Sequence, residues 1–168
     1  MKTLSEYQNE KLQIVQPSFF KRIFELRSED ELLSTLSYPN FWNRNSIVEG
    51  GLTGSWEFYF PSLWKSEIHI RPKGNEIPIA KYTEKVFSLS EIIELPKAEK
   101  ILFRSFAFKP KKELQTENGE TLVTFHFRFS MKYRIDIEIN KKSELLDKYP
   151  WLIMLAVYII DQHKRSKS

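Results

Sequence analysis

A run of ten consecutive apolar residues toward the C-terminus constrains the fold more than any other feature. It extends over Trp151–Ile160, about half the length that an untilted membrane span needs, so we expect a buried helix. Pro150 suits a first helical turn, and Asp147 is a possible N-cap. A helix that continues through Gln162 would have about 15 residues. Because it is apolar on every side, other elements must surround it.

Alternation of apolar and polar residues dominates the rest of the chain and predicts strands with one buried face. The clearest run is Thr121–Phe129, and Tyr133–Ile139 follows it, so the two predict a hairpin through residues 130–132. Shorter runs of the same kind are Leu12–Gln16, Lys21–Arg27, Gly54–Phe60, Glu67–Arg71, Ile77–Tyr82, Val86–Leu89 and Ile101–Phe108.

Turn residues separate these runs and indicate the architecture. The strongest signal is Asn118-Gly119, which predicts a two-residue type I′ turn. Many short strands with turns between them indicate an all-β barrel or sandwich, and a sheet closed around the apolar helix would supply the helix with its surroundings. We expect a polar tail over residues 1–10 and a single domain over residues 11–166.

Composition excludes several classes of protein. The chain has 168 residues and no Cys, which excludes a disulfide scaffold and a zinc site built on thiolates. Its 41% of apolar residues can fill a core, and its charges are nearly balanced in sign, so disorder is not expected. The N-terminal residues are polar and predict no signal peptide. We expect a cytoplasmic protein without a transmembrane segment, at most peripheral to a membrane.

Four motifs, in this order along the chain, resemble the tubby C-terminal-like superfamily. The motifs are Gln16-Pro17 before a strand that ends Phe24-Glu25-Leu26, Gly54-Ser55-Trp56-Glu57-Phe58, Glu67-Ile68-His69-Ile70-Arg71, and Tyr149-Pro150-Trp151-Leu152. This superfamily includes tubby proteins, phospholipid scramblases, plant LURP-one-related proteins and small bacterial members. The resemblance covers nearly the whole chain and implies a mainly β fold, a closed antiparallel barrel of about twelve strands around a central hydrophobic C-terminal helix. No headgroup or calcium ligand is carried over, because no tubby-type Lys/Arg pocket or scramblase-type acidic loop is matched.

Positive charge collects in the second part of the chain. Residues 1–60 contain 6 basic and 8 acidic groups, residues 61–168 contain 20 and 14, and the excess is concentrated over Lys97–Lys112. Arg104 shares strand parity with apolar neighbours, so its guanidinium is expected to point toward the apolar side. There it would need a structural ion pair, a bulge that changes the register, or a bound anion. The candidate anion- or lipid-binding residues are Arg104, Lys109, Lys111, Lys112 and Arg128.

No catalytic signature occurs, so we expect no enzyme, cofactor or metal site. A hydrolase would need a cleft that gathers His69 or His126 with acidic groups. We expect a non-enzymatic binding or scaffolding domain that recognises anionic phospholipid headgroups on a membrane surface. The alternative is a protein-interaction module, with Trp42 and Trp64 as candidate exposed anchors. Nucleic acid is not expected as a partner, and a carrier of an apolar ligand is disfavoured because the helix would fill the barrel.

Overall fold

The protein is described by a computed structural model that covers residues 1–18, 20–40, 44–85, 88–128 and 133–166. Within these ranges, two short 3₁₀ turns occur at Leu4–Tyr7 and Pro96–Ala98. The twelve strands are β1 (Leu12–Val15), β2 (Ile23–Ser28), β3 (Glu31–Ser37), β4 (Ser46–Glu49), β5 (Trp56–Tyr59), β6 (Glu67–Pro72), β7 (Ala80–Thr83), β8 (Ser90–Glu94), β9 (Lys100–Ser105), β10 (Lys111–Thr116), β11 (Thr121–Phe127) and β12 (Arg134–Ile139). Two helices follow them, α1 (Glu144–Lys148) and α2 (Leu152–Ser166).

Each strand pairs antiparallel with the next strand along the chain, and the first strand pairs with the last. Leu12 on β1 lies opposite Ser28 on β2 and opposite Ile137 on β12. This last pairing closes the sheet, so none of the twelve described strands is an edge strand. The predicted mainly β fold, a closed antiparallel barrel of about twelve strands, is therefore confirmed.

Helix α2 is surrounded by the apolar faces of the strands. Every residue from Trp151 to Gln162 is buried. The ring of Trp151 packs 5.5 Å from that of Trp56, and the ring of Tyr158 packs 5.7 Å from that of Phe58. The apolar run is thus the centre of the core, as predicted. No helix among the described residues has both the length and the hydropathy to cross a membrane.

The start of α2 differs from the prediction. Asp147 does not cap this helix, because it lies within α1 and its Oδ1 accepts a hydrogen bond of 2.7 Å from the backbone N–H of Ser5. Leu4 and Tyr7 are buried beside this contact. Part of the predicted polar tail therefore packs against the folded chain, while the domain limits at residues 11 and 166 stay a prediction.

Three strands were not predicted, and a fourth begins later than expected. Strands β3, β4 and β10 lack simple alternation, and the eighth strand is Ser90–Glu94 rather than Val86–Leu89, of which residues 86 and 87 lie outside the described ranges. The turn after β10 is also not type I′. Gly119 is left-handed with φ 83°, and its N–H donates to the carbonyl of Thr116, so the turn has three residues. The predicted hairpin of β11 and β12 is confirmed, although its loop residues 130–132 are not described.

The antiparallel order places alternate connections at opposite ends of the barrel. One end, here called the helix-exit rim, is made of the described residues within 16–22, 38–45, 60–66, 84–89, 106–110 and 128–133 and of residues 163–166 at the end of α2. Gln162 at this end accepts a hydrogen bond from Arg44, and His163 lies 3.4 Å from Glu84. The other end, here called the far rim, is made of the remaining connections and of residues 1–11 and 140–151.

Candidate functional site

Three basic side chains surround one aromatic ring at the connection between β9 and β10. The charged groups of Arg104, Lys109 and Lys111 lie 5.0, 5.8 and 4.6 Å from the centroid of the Phe106 ring. We call these four residues the Phe106 cluster. An aromatic face attracts each cation by about 0.5–1 kcal/mol at an exposed site. The three cations nevertheless repel one another, so the cluster is a local concentration of positive charge.

One carboxylate compensates part of this charge. Glu113 on β10 is buried, and it accepts hydrogen bonds of 2.6 Å from Thr121 and 3.1 Å from each of Gln115 and Lys111. Burial alone would raise the pKa of Glu113, but these hydrogen bonds outweigh burial and hold the pKa below its ordinary value. Arg104 and Lys109 form no ion pair with other described residues. The cluster and Glu113 together therefore carry two net positive charges.

The predicted inward direction of Arg104 is wrong. Ile101 and Phe103 on β9 are buried, whereas Arg104 is exposed on the outer face of the barrel. No bulge interrupts the pairing of β9 with β10. The prediction used the parity of Leu102, Phe106 and Phe108. Leu102 shares the outer face with Arg104 and is only partly buried, and the two phenylalanines lie beyond the end of the strand, where alternation no longer reports a face.

Phe108 is presented to solvent by a strained backbone. Its side chain is fully exposed, and its φ of 64° lies in the left-handed region that residues other than glycine rarely adopt. The left-handed conformation costs about 1–2 kcal/mol for an L-residue with a side chain. No local sequence signal marks this position, because glycine is the residue that usually does so.

Lys112 is separate from the Phe106 cluster, because it faces the interior of the barrel. Its ammonium donates a 2.9 Å hydrogen bond to Ser105 and lies 5.4 Å from the ring of Phe103. Glu91 on β8 is directly across from Phe103 and is 6% exposed, and its Oε2 has no hydrogen-bond partner. Burial raises the pKa of the Glu91 carboxyl to about 7, although the charge of Lys112 opposes this shift. Glu91 was not identified from the sequence, because the adjacent apolar residues Ile92 and Ile93 do not alternate with polar ones and so do not show which residues face the interior.

Arg128 adds little free positive charge beside the cluster, because a carboxylate binds it. It pairs with Asp136, which also accepts hydrogen bonds from Arg134 and Gln13. Burial opposes their effect, but these hydrogen bonds hold the pKa of Asp136 at about 2. Lys97 lies at the far rim, and Lys100 begins β9 on that side. The predicted basic region over Lys97–Lys112 is therefore divided between the two ends of the barrel.

Each of the two candidate catalytic histidines lies beside one carboxylate. His69 on β6 lies 3.1 Å from Glu67, and His126 on β11 lies 3.0 Å from Glu138. Four strands separate β6 from β11 in the sheet. Each histidine is therefore one member of a local surface pair.

A polar network that the sequence did not predict anchors the end of α2. Asp161 is buried and accepts hydrogen bonds of 2.7 Å from the Tyr38 hydroxyl and 2.9 Å from Arg165, and Arg22 lies 3.8 Å away. Burial, with the charge of Asp161 next in size, raises the pKa of Tyr38 far above its ordinary value. These contacts fix the helix end against the residue before β2 and the residue after β3.

Charge is distributed unequally between the two rims. The described residues of the helix-exit rim include nine basic residues and one acidic residue, whereas those of the far rim include seven and ten. The Phe106 cluster therefore lies at the positive end of a molecule with opposite charge at its two ends. Of the two predicted aromatic anchors, Trp64 is 93% exposed at the positive end, and Trp42 lies outside the described residues.

Comparison with known proteins gives a likeness of fold. No family model matches the chain, and no curated protein matches it. The structure is similar to the X-ray structure of a protein from Arabidopsis thaliana, AT5G01750, with a TM-score of 0.63. The similarity covers 92% of this chain and 91% of the plant chain, and the two are 11% identical in sequence. At this identity the likeness shows the fold alone.

Proposed function

We propose that the chain is a non-enzymatic binding domain of the tubby C-terminal-like superfamily and that it recognises anionic phospholipid headgroups through the Phe106 cluster. The closed barrel around α2 and the likeness to the plant structure support the superfamily. The observation that carries the function is the convergence of Arg104, Lys109 and Lys111 on one ring, with two net positive charges after Glu113 is counted.

Headgroup phosphates suit this arrangement because they are negatively charged and can accept hydrogen bonds from the basic side chains. A guanidinium donates two parallel hydrogen bonds to phosphate, and two ammonium groups add flexible point charges. The strongly positive rim around the cluster would draw an anionic surface toward it.

Vesicle sedimentation tests the proposal. Vesicles of phosphatidylcholine with phosphatidylserine should bind the wild type, and added salt should weaken binding. The triple variant Arg104→Ala, Lys109→Ala, Lys111→Ala should bind about 100-fold more weakly, since each basic residue near the surface contributes about 1 kcal/mol. The matched control Lys97→Ala, Lys100→Ala, Lys142→Ala removes the same charge near the far rim and should change binding less than threefold.

Two results would overturn the proposal. Equal losses in the two triple variants would mean that net charge alone, and not the cluster, determines binding. Absence of wild-type binding at low salt would remove lipid recognition and leave the protein-interaction module. Thermal unfolding of both variants is measured in parallel, because Lys111→Ala removes one hydrogen bond from buried Glu113.

A further inference from the structure

Two loops of the helix-exit rim have the same order of residue types. The β1–β2 connection contains Pro17-Ser18-Phe19-Phe20-Lys21, and the β5–β6 connection contains Pro61-Ser62-Leu63-Trp64-Lys65. The β3–β4 connection between them begins in the same way, with Pro39-Asn40-Phe41-Trp42, although residues 41–43 lie outside the described ranges. Residue 19 is likewise not described. The order Pro, Ser or Asn, apolar and aromatic thus recurs on three consecutive loops of one rim.

The two described copies also share their local geometry. The backbone N–H of Phe20 donates to the hydroxyl of Ser18 at 3.3 Å, and that of Trp64 donates to the hydroxyl of Ser62 at 3.2 Å. A serine hydroxyl that accepts from the N–H two residues later fixes a turn. Both turns leave the aromatic ring in solvent, with Phe20 99% and Trp64 93% exposed. Because the same turn exposes an aromatic ring in both loops, the local structure of these loops determines the exposure of the rings.

Other loops of the same rim add exposed apolar side chains. Phe108 and Leu89 lie in the β9–β10 and β7–β8 connections, and Leu63 lies beside Trp64. Among the described residues, five of the eight large exposed apolar side chains belong to this rim. A lysine directly follows the exposed ring in three loops, as Phe20-Lys21, Trp64-Lys65 and Phe108-Lys109. A monomeric domain has no structural reason to gather apolar tips on its most basic end.

We infer that the helix-exit rim is a membrane-docking face, on which aromatic tips enter the interface of an anionic bilayer while the adjacent lysines stay at the phosphates. Rings with a polar neighbour suit the boundary between headgroups and acyl chains. Among the described residues of this rim, nine basic residues against one acidic residue complement an anionic lipid surface. The inference rests on the proposed function and adds an orientation. The C-terminal end of α2 faces the bilayer, and the more acidic far rim faces away from it.

Fluorescence quenching tests whether a tip enters the bilayer. Vesicles of phosphatidylserine and phosphatidylcholine with brominated acyl chains should quench emission from Trp64. Compared at equal bound fraction, the variant Trp64→Phe should lose this part of the quenching, because phenylalanine removes the emitter while it keeps an apolar ring at the tip. Equal quenching of the wild type and Trp64→Phe would overturn insertion at this loop.

A pair of apolar-to-polar variants tests the energetic role of the tips. Phe20→Ser with Trp64→Ser should lower partition into anionic vesicles about 100-fold, about tenfold for each ring, with an unchanged salt dependence because no charge is altered. The matched control is Leu32→Ser with Ile77→Ser, two exposed apolar residues toward the far rim. It should change partition less than twofold, and an equal effect of the two pairs would overturn the inference.

The outcomes separate this inference from the proposed function. In one outcome, salt and loss of the Phe106 cluster weaken binding, but Phe20→Ser with Trp64→Ser does not. That outcome would support headgroup recognition and overturn insertion of the tips. A wild type that binds no anionic vesicles would overturn both.

Discussion

Glu91 and Glu113 are buried carboxyl groups on opposite faces of the sheet, and their pKa values are shifted in opposite directions. Glu113 on the outer face has hydrogen bonds that favour its charged form. Glu91 on the inner face has an oxygen without a partner, and burial raises its pKa to about 7 from an ordinary value of 4.5. The charged form of Glu113 therefore stabilises the fold, whereas the charged form of Glu91 destabilises it.

We predict that this difference can be measured in the pH dependence of stability. The pKa of Glu91 is higher in the folded state than in the unfolded state. The contribution of Glu91 to the free energy of unfolding therefore falls as the pH rises from about 4.5 to about 7. Glu91→Gln should therefore leave stability nearly unchanged at pH 4 and raise the free energy of unfolding by roughly 1–3 kcal/mol at pH 8. Denaturant titrations at the two pH values measure this change.

Glu113→Gln is the matched control for the opposite sign. The lowered pKa of Glu113 contributes stability above its unfolded pKa, and this stability is lost in acid. This variant should destabilise the protein by about 1–2 kcal/mol at neutral pH. A Glu91→Gln variant that is less stable than the wild type at pH 8 would contradict the assignment of Glu91 as a destabilising charge.

At Phe108 we expect one substitution to change stability and binding in opposite directions. Glycine adopts a positive φ without steric cost, so Phe108→Gly should raise the free energy of unfolding by about 0.5–1 kcal/mol while it weakens binding to anionic vesicles. Ala98→Gly is the matched control, because Ala98 has φ 60° at the far rim. It should be stabilising and leave vesicle binding unchanged. Parallel thermal melts and sedimentation assays distinguish the two variants, and equal binding by both would contradict the role of Phe108.

At the scale of elements, α2 fills the interior of the barrel, and the strands pack around it. Leu155 is fully buried in the first turn of the helix, so Leu155→Ala leaves a cavity inside the closed barrel. We expect a loss of 2–5 kcal/mol in the free energy of unfolding. Lys164→Ala on the exposed end of the same helix should stay within about 0.5 kcal/mol. Denaturant midpoints measure both changes, and a loss below 1 kcal/mol for Leu155→Ala would contradict a tightly packed lumen.

The sequence predicted those elements whose own pattern of apolar and polar residues shows which side is buried. Strands β11 and β12 alternate cleanly, and the apolar run of α2 allows no exposed face. Strand β10 has only Leu114 as an apolar residue, so its strand conformation depends on pairing with β9 and β11. Strand β3 has adjacent Leu32 and Leu33, and a register shift occurs opposite it in β2. These elements could not be predicted from alternation, because long-range pairing determines them.

At the scale of the whole molecule, closure depends on strands that are far apart in sequence. Leu12 meets Ile137 at the closing pair, and no local pattern distinguishes this arrangement from a sandwich. The family resemblance implied it. The charge difference between the rims was hidden for the same reason, since basic residues that are scattered along the chain collect at one end only after alternate connections are brought together. Three of the five candidate site residues lie in the Phe106 cluster, whereas Lys112 faces the interior of the barrel and Arg128 is paired with Asp136.

The position of α2 after all twelve strands affects how the chain is made. A ribosome completes the apolar inner faces of the barrel before it completes the helix that covers them, so those faces have no permanent partner during most of synthesis. Stable packing needs contacts between distant parts of the chain, which favours slow folding after synthesis. A nascent chain that stops before Leu152 should therefore depend on chaperones and be prone to aggregation.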